Sequence, residues 1–155
     1  MKNVKRVAMC LGVLALCASV SGAQPVDPTG MWKLNLTKSK FSTPPPRSMT
    51  VTFKDGAKGY DVTVEAAGPE GQPQKWGFTS TFDGSERPVH GNPGIDTVIA
   101  RTTGAGSTVE YRKAGKVVTT TTSVMSDDGK TLTVTAKVVD AQGKEVTNIS
   151  VYDKQ

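Results

Sequence analysis

Apolar and polar side chains alternate along most of the chain. In the stretch 60–66, Tyr60, Val62, Val64 and Ala66 are apolar, whereas the residues between them are aspartate, threonine and glutamate. A period of two places successive side chains on opposite faces of an extended strand, and no window repeats its apolar residues at the helical spacing. The pattern therefore predicts an all-β protein.

Breaks rich in glycine, proline and aspartate divide this pattern into strands. The strongest hairpin signal is Asp83-Gly84, and the stretch 87–94, which has two prolines and two glycines, predicts a loop. Because nearly all connections are short, the strands form a meander, which has no exposed edge if it closes. We expect an antiparallel up-and-down β-barrel of about nine strands: 31–36, 49–53, 60–66, 75–82, 97–102, 107–113, 116–124, 131–139 and 145–152.

The first 23 residues have the pattern of a secretory signal peptide. Lys2, Lys5 and Arg6 precede an apolar stretch, 7–20, and the small residues Ser21-Gly22-Ala23 follow it. The apolar stretch is shorter than the roughly 20 residues that a membrane-spanning helix needs. We therefore predict cleavage after Ala23, export to the periplasm or the extracellular space, and a single domain over 24–155.

Cleavage would change the composition of the remaining chain. Both cysteines, Cys10 and Cys17, would be lost, so no disulfide could form, and bulky residues precede both, which disfavours a lipid anchor. The removed segment has three basic residues and no acidic one, so the net charge falls from +5 to +2. No basic cluster with interleaved aromatic residues remains. We expect neither nucleic-acid binding nor stable membrane insertion after cleavage, and the oligomeric state stays open.

The aliphatic residues of 24–155 are mostly β-branched. This segment has 20 threonines and 15 valines but only three leucines and three isoleucines. β-Branched side chains favour strands, which agrees with the all-β prediction. An interior built from valine, alanine, serine and threonine leaves more space than one filled with larger aliphatic residues, so such a barrel could enclose a small cavity.

The first predicted strand opens with Gly30-Met31-Trp32, which resembles the Gly-x-Trp signature of lipocalins and related calycin proteins. The order of elements is also similar to that of lipocalins, and the stretches Asp127–Lys130 and Tyr152–Gln155 resemble those of small lipocalin-like proteins exported by bacteria. The resemblance implies a ligand-binding barrel in which Trp32 packs across the closed end. Lipocalins cover this tryptophan with an arginine near the end of the barrel; no arginine follows Arg112 here, so Lys137 or Lys154 would have to replace it.

A second departure concerns the ligand. Intracellular fatty-acid-binding relatives hold the ligand carboxylate with an Arg-x-Tyr triplet on the last strand. In this sequence the corresponding triplet is Ser150-Val151-Tyr152. A fatty-acid clamp of that kind cannot be carried over to this chain.

Residues that could carry catalytic chemistry are few. His90 is the single histidine of the sequence, with no second histidine or cysteine to share a metal and no Gly-x-Ser-x-Gly elbow elsewhere. We expect it to have an ordinary loop role. The sequence therefore predicts no enzyme, no catalytic or metal-binding residue and no cofactor. The run Thr119–Thr122 is interpreted as a flat polar strand without a function of its own.

The candidate ligand-binding residues are Trp76, Phe78 and Tyr111. Trp76 and Phe78 share one face of a strand, Val109 and Tyr111 share one face of another, and closure with the apolar faces inward would place all four inside the barrel. Two hypotheses follow. The protein binds a small apolar or amphipathic molecule in its interior, or it is a structural or interaction protein of the cell envelope whose barrel is filled by side chains.

Overall fold

The computed structural model describes residues 27–104 and 106–155, which form ten strands. The predicted signal peptide, 1–23, lies outside the described residues. No helix within those ranges is long and apolar enough to span a membrane. The strands are β1 (Gly30–Leu34), β2 (Ser48–Gly56), β3 (Gly59–Ala67), β4 (Pro73–Ser80), β5 (Asp83–Pro88), β6 (Thr97–Thr103), β7 (Gly106–Lys113), β8 (Lys116–Met125), β9 (Thr131–Val139) and β10 (Glu145–Lys154).

The strands form one antiparallel sheet in which each strand pairs with its neighbours in sequence, except at one place. β1 pairs with both β2 and β10, which joins the two ends of the chain, and β4 and β5 are left as the end strands. Such a sheet is a meander that curls into a nearly closed barrel. The predicted all-β up-and-down barrel is confirmed.

The seam between β4 and β5 is held by a single backbone bridge. The amide of Gly77 donates to the carbonyl of His90 at 3.0 Å, and the amide of His90 donates to the carbonyl of Gly77 at 2.9 Å. A Cβ atom on Gly77 would lie 2.5 Å from the carbonyl oxygen of Val62, and one on Gly91 would lie 2.5 Å from that of Lys75. The close approach of the backbones at the seam therefore depends on Gly91, whereas Gly77 permits the close approach of β3 and β4 within the regular ladder.

The structure differs from the sequence prediction at β5. Residues 83–88 were expected to begin a hairpin and a loop, but they form a tenth strand that pairs with β6. The prediction of a hairpin turn at Asp83-Gly84 is wrong. The chain turns at Thr81-Phe82, between β4 and β5, and Phe82 has a positive φ of 56°. Because β4 and β5 lie on either side of the seam, no regular hairpin ladder joins them.

The first strand is shorter than predicted. It ends at Leu34 rather than at residue 36, because the side-chain oxygen of Asn35 accepts hydrogen bonds from the amides of Thr37 and Lys38, both at 3.1 Å. This local capping replaces the strand hydrogen bonds. The side chain of Leu36 is consequently 43% exposed rather than part of the core.

The loop between β1 and β2, residues 35–47, is fixed to β10. Lys40 and Ile149 exchange backbone hydrogen bonds of 2.7 Å, and the side chain of Asn148 contacts the loop twice, accepting from the amide of Ser42 and donating to the hydroxyl of Thr43, both at 2.8 Å. Three consecutive prolines, 44–46, exclude a helix in this loop. The loop is therefore an ordered part of one end of the barrel.

The buried apolar residues form two clusters rather than one. The first surrounds Trp32 at the end of the barrel where β8 turns into β9, and the second surrounds Val98. Small domains usually have one contiguous core. Here residues of both clusters, among them Tyr152 and Val62, line a space inside the barrel, and Val51 and Phe53 pack against both clusters.

Candidate functional site

The interior of the barrel contains a cavity of about 440 Å³ that is partly open to solvent. Its wall includes inward-facing residues of β2, β3, β4, β7, β8, β9 and β10, and the β1–β2 loop contributes Phe41, Pro44 and Pro46 at one end. Pockets for small ligands have volumes of about 300–1,000 Å³. The cavity is therefore large enough for one small organic molecule, and the barrel is not filled by its own side chains.

Three predicted site residues, Trp76, Phe78 and Tyr111, meet on the cavity wall. The rings of Trp76 and Phe78 are stacked with centroids 6.3 Å apart, and Tyr111 meets Trp76 edge to face at 5.8 Å. Aromatic pairs in these geometries hold each other in place, which gives a pre-formed apolar surface. Val109, expected on the same face as Tyr111, also lines the cavity. Ligand contact by these residues stays a prediction.

Two tyrosine hydroxyls lie inside the barrel. Burial raises the pKa of Tyr111 to about 12, against the lowering effect of a hydrogen bond with Thr121. Burial likewise raises the pKa of Tyr152 to about 12. A hydrogen bond with Ser150 lowers this pKa, and the negative charge that Tyr111 carries once it is deprotonated raises it. Both phenols are therefore protonated at neutral pH and can donate hydrogen bonds to a ligand.

The hydroxyl of Tyr152 has a weak partner. It donates to the Sδ atom of Met49 at 3.0 Å. A thioether sulfur is a poor acceptor compared with an oxygen. A ligand oxygen near this position would be a better acceptor than Met49, so the hydroxyl is available for recognition.

Strand β8 contributes further hydroxyl groups to the cavity wall. Its hydroxyl residues face inward and its valines face outward, which is the reverse of the usual arrangement of a half-buried strand. Its residues Thr119, Thr121 and Ser123 line the cavity, whereas Val118 and Val124 point outward and are 41% and 53% exposed. Sequence reasoning missed these residues. An inverted strand, with hydroxyls inside and valines outside, is the signal that could have identified a polar cavity wall.

Strand β10 has a similar inversion. Asn148, Ser150 and Tyr152 line the cavity, and the aliphatic residues between them, Ile149 and Val151, lie on the other face. The interior of the barrel is therefore polar along two of its strands. An ordinary barrel core would place the aliphatic residues of these strands inside.

The cavity wall carries no formal charge. Among the described residues that line it, the tyrosines are the only ones with an ionisable side chain. The charged side chains of β7 lie on the outer face, where Glu110 accepts from Arg112 at 2.9 Å and faces Arg101 at 4.0 Å. The electrostatic environment inside is that of neutral dipoles.

Trp32 is a structural residue at the closed end of the barrel. It is fully buried, its indole nitrogen donates to the carbonyl of Pro28 at 2.8 Å, and it does not line the cavity. The ammonium of Lys154 lies 5.2 Å from the ring centroid, a cation–π geometry. Lys154 therefore takes the covering position, whereas Lys137 faces Glu145 at 3.6 Å.

His90 lies outside the cavity wall. Its side chain is exposed, and its contribution to the structure is the backbone bridge to Gly77. The described residues contain no group of three or more histidine, cysteine, aspartate or glutamate side chains that could hold a metal ion.

Comparisons with known proteins give one similarity, in three dimensions. No protein-family model and no curated protein sequence matches the chain. The structure is similar to the crystal structure of the zebrafish ileal bile acid-binding protein complexed with cholic acid, with a TM-score of 0.50 and 15% identity over 82% of this chain and 98% of that chain. At this identity the similarity establishes the fold alone. This chain shares its fold, a nearly closed antiparallel β-barrel, with that protein.

Proposed function

We propose that this calycin-type barrel is an exported binding protein that holds one small apolar or amphipathic molecule in its interior. The observation that carries the proposal is the cavity of about 440 Å³, which residues of both core clusters line. The side chains of the wall have room for further packing contacts inside the barrel. A ligand would supply those contacts.

The chemistry of the wall supports this function. Most of the lining side chains are aliphatic or aromatic, and a few hydroxyl and amide groups lie among them. This combination is typical of small-molecule sites, in which apolar contacts provide affinity and a few polar groups orient the ligand. The barrel with a similar fold is complexed with cholic acid, which supports the use of such an interior for a small molecule.

Trp76, Phe78 and Tyr111 are the residues that we expect to contact the ligand. Their rings contact one another through the indole of Trp76 and all three line the cavity. Because the rings are already packed together, a ligand that lies against them loses little side-chain entropy on binding. Tyr111 adds a protonated hydroxyl beside this apolar surface.

A filled barrel of the cell envelope is the less favoured function, because the cavity is present. We also propose that the protein is not an enzyme, since the described wall offers neutral dipoles rather than an acid–base pair. Export rests on the sequence of residues 1–23, and its test is the intact mass of the secreted protein. A start at Gln24 supports export and cleavage after Ala23; a lipid-modified start at Cys17 contradicts cleavage after Ala23, and an uncleaved chain that stays in the cytoplasm contradicts export.

The decisive experiment is binding of a neutral apolar fluorophore, N-phenyl-1-naphthylamine, to the purified protein. We expect probe fluorescence to rise and tryptophan emission to be quenched. The variant Trp76→Phe should lose most of this quenching and keep its fold, whereas Trp32 is shielded from the cavity and should contribute little. Native mass spectrometry of protein purified from its own host should then reveal a retained small molecule. If neither the fluorophore nor a retained molecule is found, the binding function is wrong.

A further inference from the structure

The proposed function does not specify the chemical class of the ligand. The positions of the hydroxyl groups on the cavity wall restrict that class. We propose that the ligand is an uncharged amphiphile with one apolar face and a second face that carries hydroxyl or carbonyl oxygens. This inference rests on the proposed binding function. It differs from a carboxylate ligand, such as the cholic acid of the structurally similar protein.

One side of the cavity is apolar. Strands β2, β3 and β4 are adjacent in the sheet, and their lining residues are almost entirely aliphatic or aromatic. Met49, Val51, Val62, Val64 and Phe78 are examples. This side would contact the apolar face of a ligand and remove it from water.

The other side is rich in hydroxyl groups. β7, β8 and β10 contribute Ser107, Thr119, Thr121, Ser123, Ser150 and Tyr152, with the apolar residues of β9 between them. In the sheet order these strands are separated from β2–β4 by β1 on one side and by β5 and β6 on the other, so the two sides face each other across the barrel. Hydroxyl groups can donate and accept, which suits ligand hydroxyls and carbonyls.

The absence of formal charge on the described wall argues against an anionic ligand. A carboxylate buried without a cation loses its hydration and gains no opposite charge in return, which makes its burial costly. The guanidinium groups nearest to Tyr111 along the chain and across the ladder, those of Arg112 and Arg101, contact Glu110 and do not line the cavity. Protonated phenols and aliphatic hydroxyls, in contrast, bind neutral oxygens at little cost.

The test displaces the bound fluorophore with three related steroids, each used below its micellar concentration. Methyl cholate is neutral and carries hydroxyls on one face, cholate has the same hydroxyls and a negative charge, and methyl 5β-cholanate is neutral without hydroxyls. We expect methyl cholate to bind at least about tenfold more tightly than each of the other two, since each lacks one of the two required properties.

Matched variants test the hydroxyl side. Thr119 and Thr121 line the cavity, and Thr120 and Thr122 of the same run do not. The double variant Thr119→Val/Thr121→Val should weaken methyl cholate about tenfold, because it removes two cavity hydroxyls, one of which hydrogen-bonds with Tyr111. It should change N-phenyl-1-naphthylamine binding by less than about threefold, because valine keeps the shape of the wall. The control, Thr120→Val/Thr122→Val, should leave both affinities unchanged. If the inner double variant fails to fold, Ser150→Ala replaces it.

Each result has a separate meaning. If the fluorophore binds and cholate displaces it as well as methyl cholate does, the uncharged-ligand inference is overturned. If methyl 5β-cholanate is equal to methyl cholate, or the inner and outer threonine variants behave alike, the role of the hydroxyl side is overturned. If neither the fluorophore nor a steroid binds, the proposed binding function itself fails.

Discussion

Trp76 on β4 and Tyr111 on β7 meet edge to face inside the barrel, with ring centroids 5.8 Å apart. Their strands are not neighbours: the seam, β5 and β6 lie between them in the sheet. The contact therefore spans the interior beside the one place where the barrel lacks a regular ladder. Trp76 therefore belongs both to an end strand at the seam and to the aromatic part of the cavity wall.

The first prediction concerns this seam. The variant Gly91→Ala should destabilise the protein by more than about 1 kcal/mol, because Gly91 has a φ of 86° and an added Cβ would lie 2.5 Å from the carbonyl oxygen of Lys75. His90→Ala should change the free energy of unfolding by less than about 0.5 kcal/mol, since the exposed side chain takes no part in the bridge. Denaturant unfolding measures both. A larger loss of stability in His90→Ala would show that the histidine side chain stabilises the fold, which would contradict its exposed position in the structure.

The second prediction concerns the closed end. Trp32→Ala should lower the free energy of unfolding by about 3–5 kcal/mol, as expected for a large, fully buried side chain. Lys154→Met should cost only about 0.5–1 kcal/mol, the range of an exposed cation–π contact. N-phenyl-1-naphthylamine binding by Lys154→Met should equal that of the parent protein. A loss below about 1 kcal/mol for Trp32→Ala would contradict a plug role.

The third prediction concerns high pH. The pKa of Tyr111 and that of Tyr152 are both raised to about 12 from an ordinary value of 10.0, because burial disfavours the phenolate. Below pH 10 both tyrosines are protonated in the folded and the unfolded chain, so their contribution to stability is fully present. Between pH 10 and 12 the unfolded chain loses these protons first, and stability should fall as pH rises.

The size of this loss can be bounded. A pKa that is raised from 10.0 to about 12 corresponds to a loss of roughly 2–3 kcal/mol in the free energy of unfolding for each tyrosine. Unfolding by denaturant across this pH range should show the decline, and Tyr111→Phe should reduce it because one titrating group is removed. A phenolate absorbance that develops fully near pH 10 in the folded protein would contradict the burial of both hydroxyls.

Much of this structure follows from patterns visible in the sequence. Alternation located the inward faces of β3 and β4, and the apolar residues of these faces, such as Val62, Trp76 and Phe78, do line the cavity. This works because a half-buried strand has a strict period of two. The Gly-x-Trp motif likewise identified Trp32, which is fully buried in the structure.

Two elements could not be predicted in this way. β5, Asp83–Pro88, has no buried residue, so no apolar pattern marks it, and it is a strand only because β6 offers a hydrogen-bonding edge. The threonines of β8 were read as a polar strand without a function because polar interiors reverse the rule that predicts the core. Only the closed barrel shows that Thr119 and Thr121 face the cavity.

The last prediction is that a positive charge added to the cavity wall makes an anionic ligand bind more tightly than a neutral one. Ser150 lines the cavity two residues before Tyr152, so Ser150-Val151-Tyr152 has the spacing of the Arg-x-Tyr triplet with which intracellular fatty-acid-binding proteins hold a carboxylate. Ser150→Arg should bring a guanidinium into the uncharged interior, and a carboxylate can pair with it through two parallel hydrogen bonds. We expect this variant to bind cholate more tightly than methyl cholate.

The same substitution should destabilise the protein without ligand, because a buried guanidinium then has no partner. Addition of cholate should restore part of the lost stability, since a ligand that binds only the folded state raises the free energy of unfolding. Thermal unfolding with and without cholate measures this. Thr135→Arg on β9 is the matched control, because Thr135 does not line the cavity and its variant should gain no cholate affinity. If Ser150→Arg still prefers methyl cholate, the missing positive charge is not what excludes an anion from this barrel.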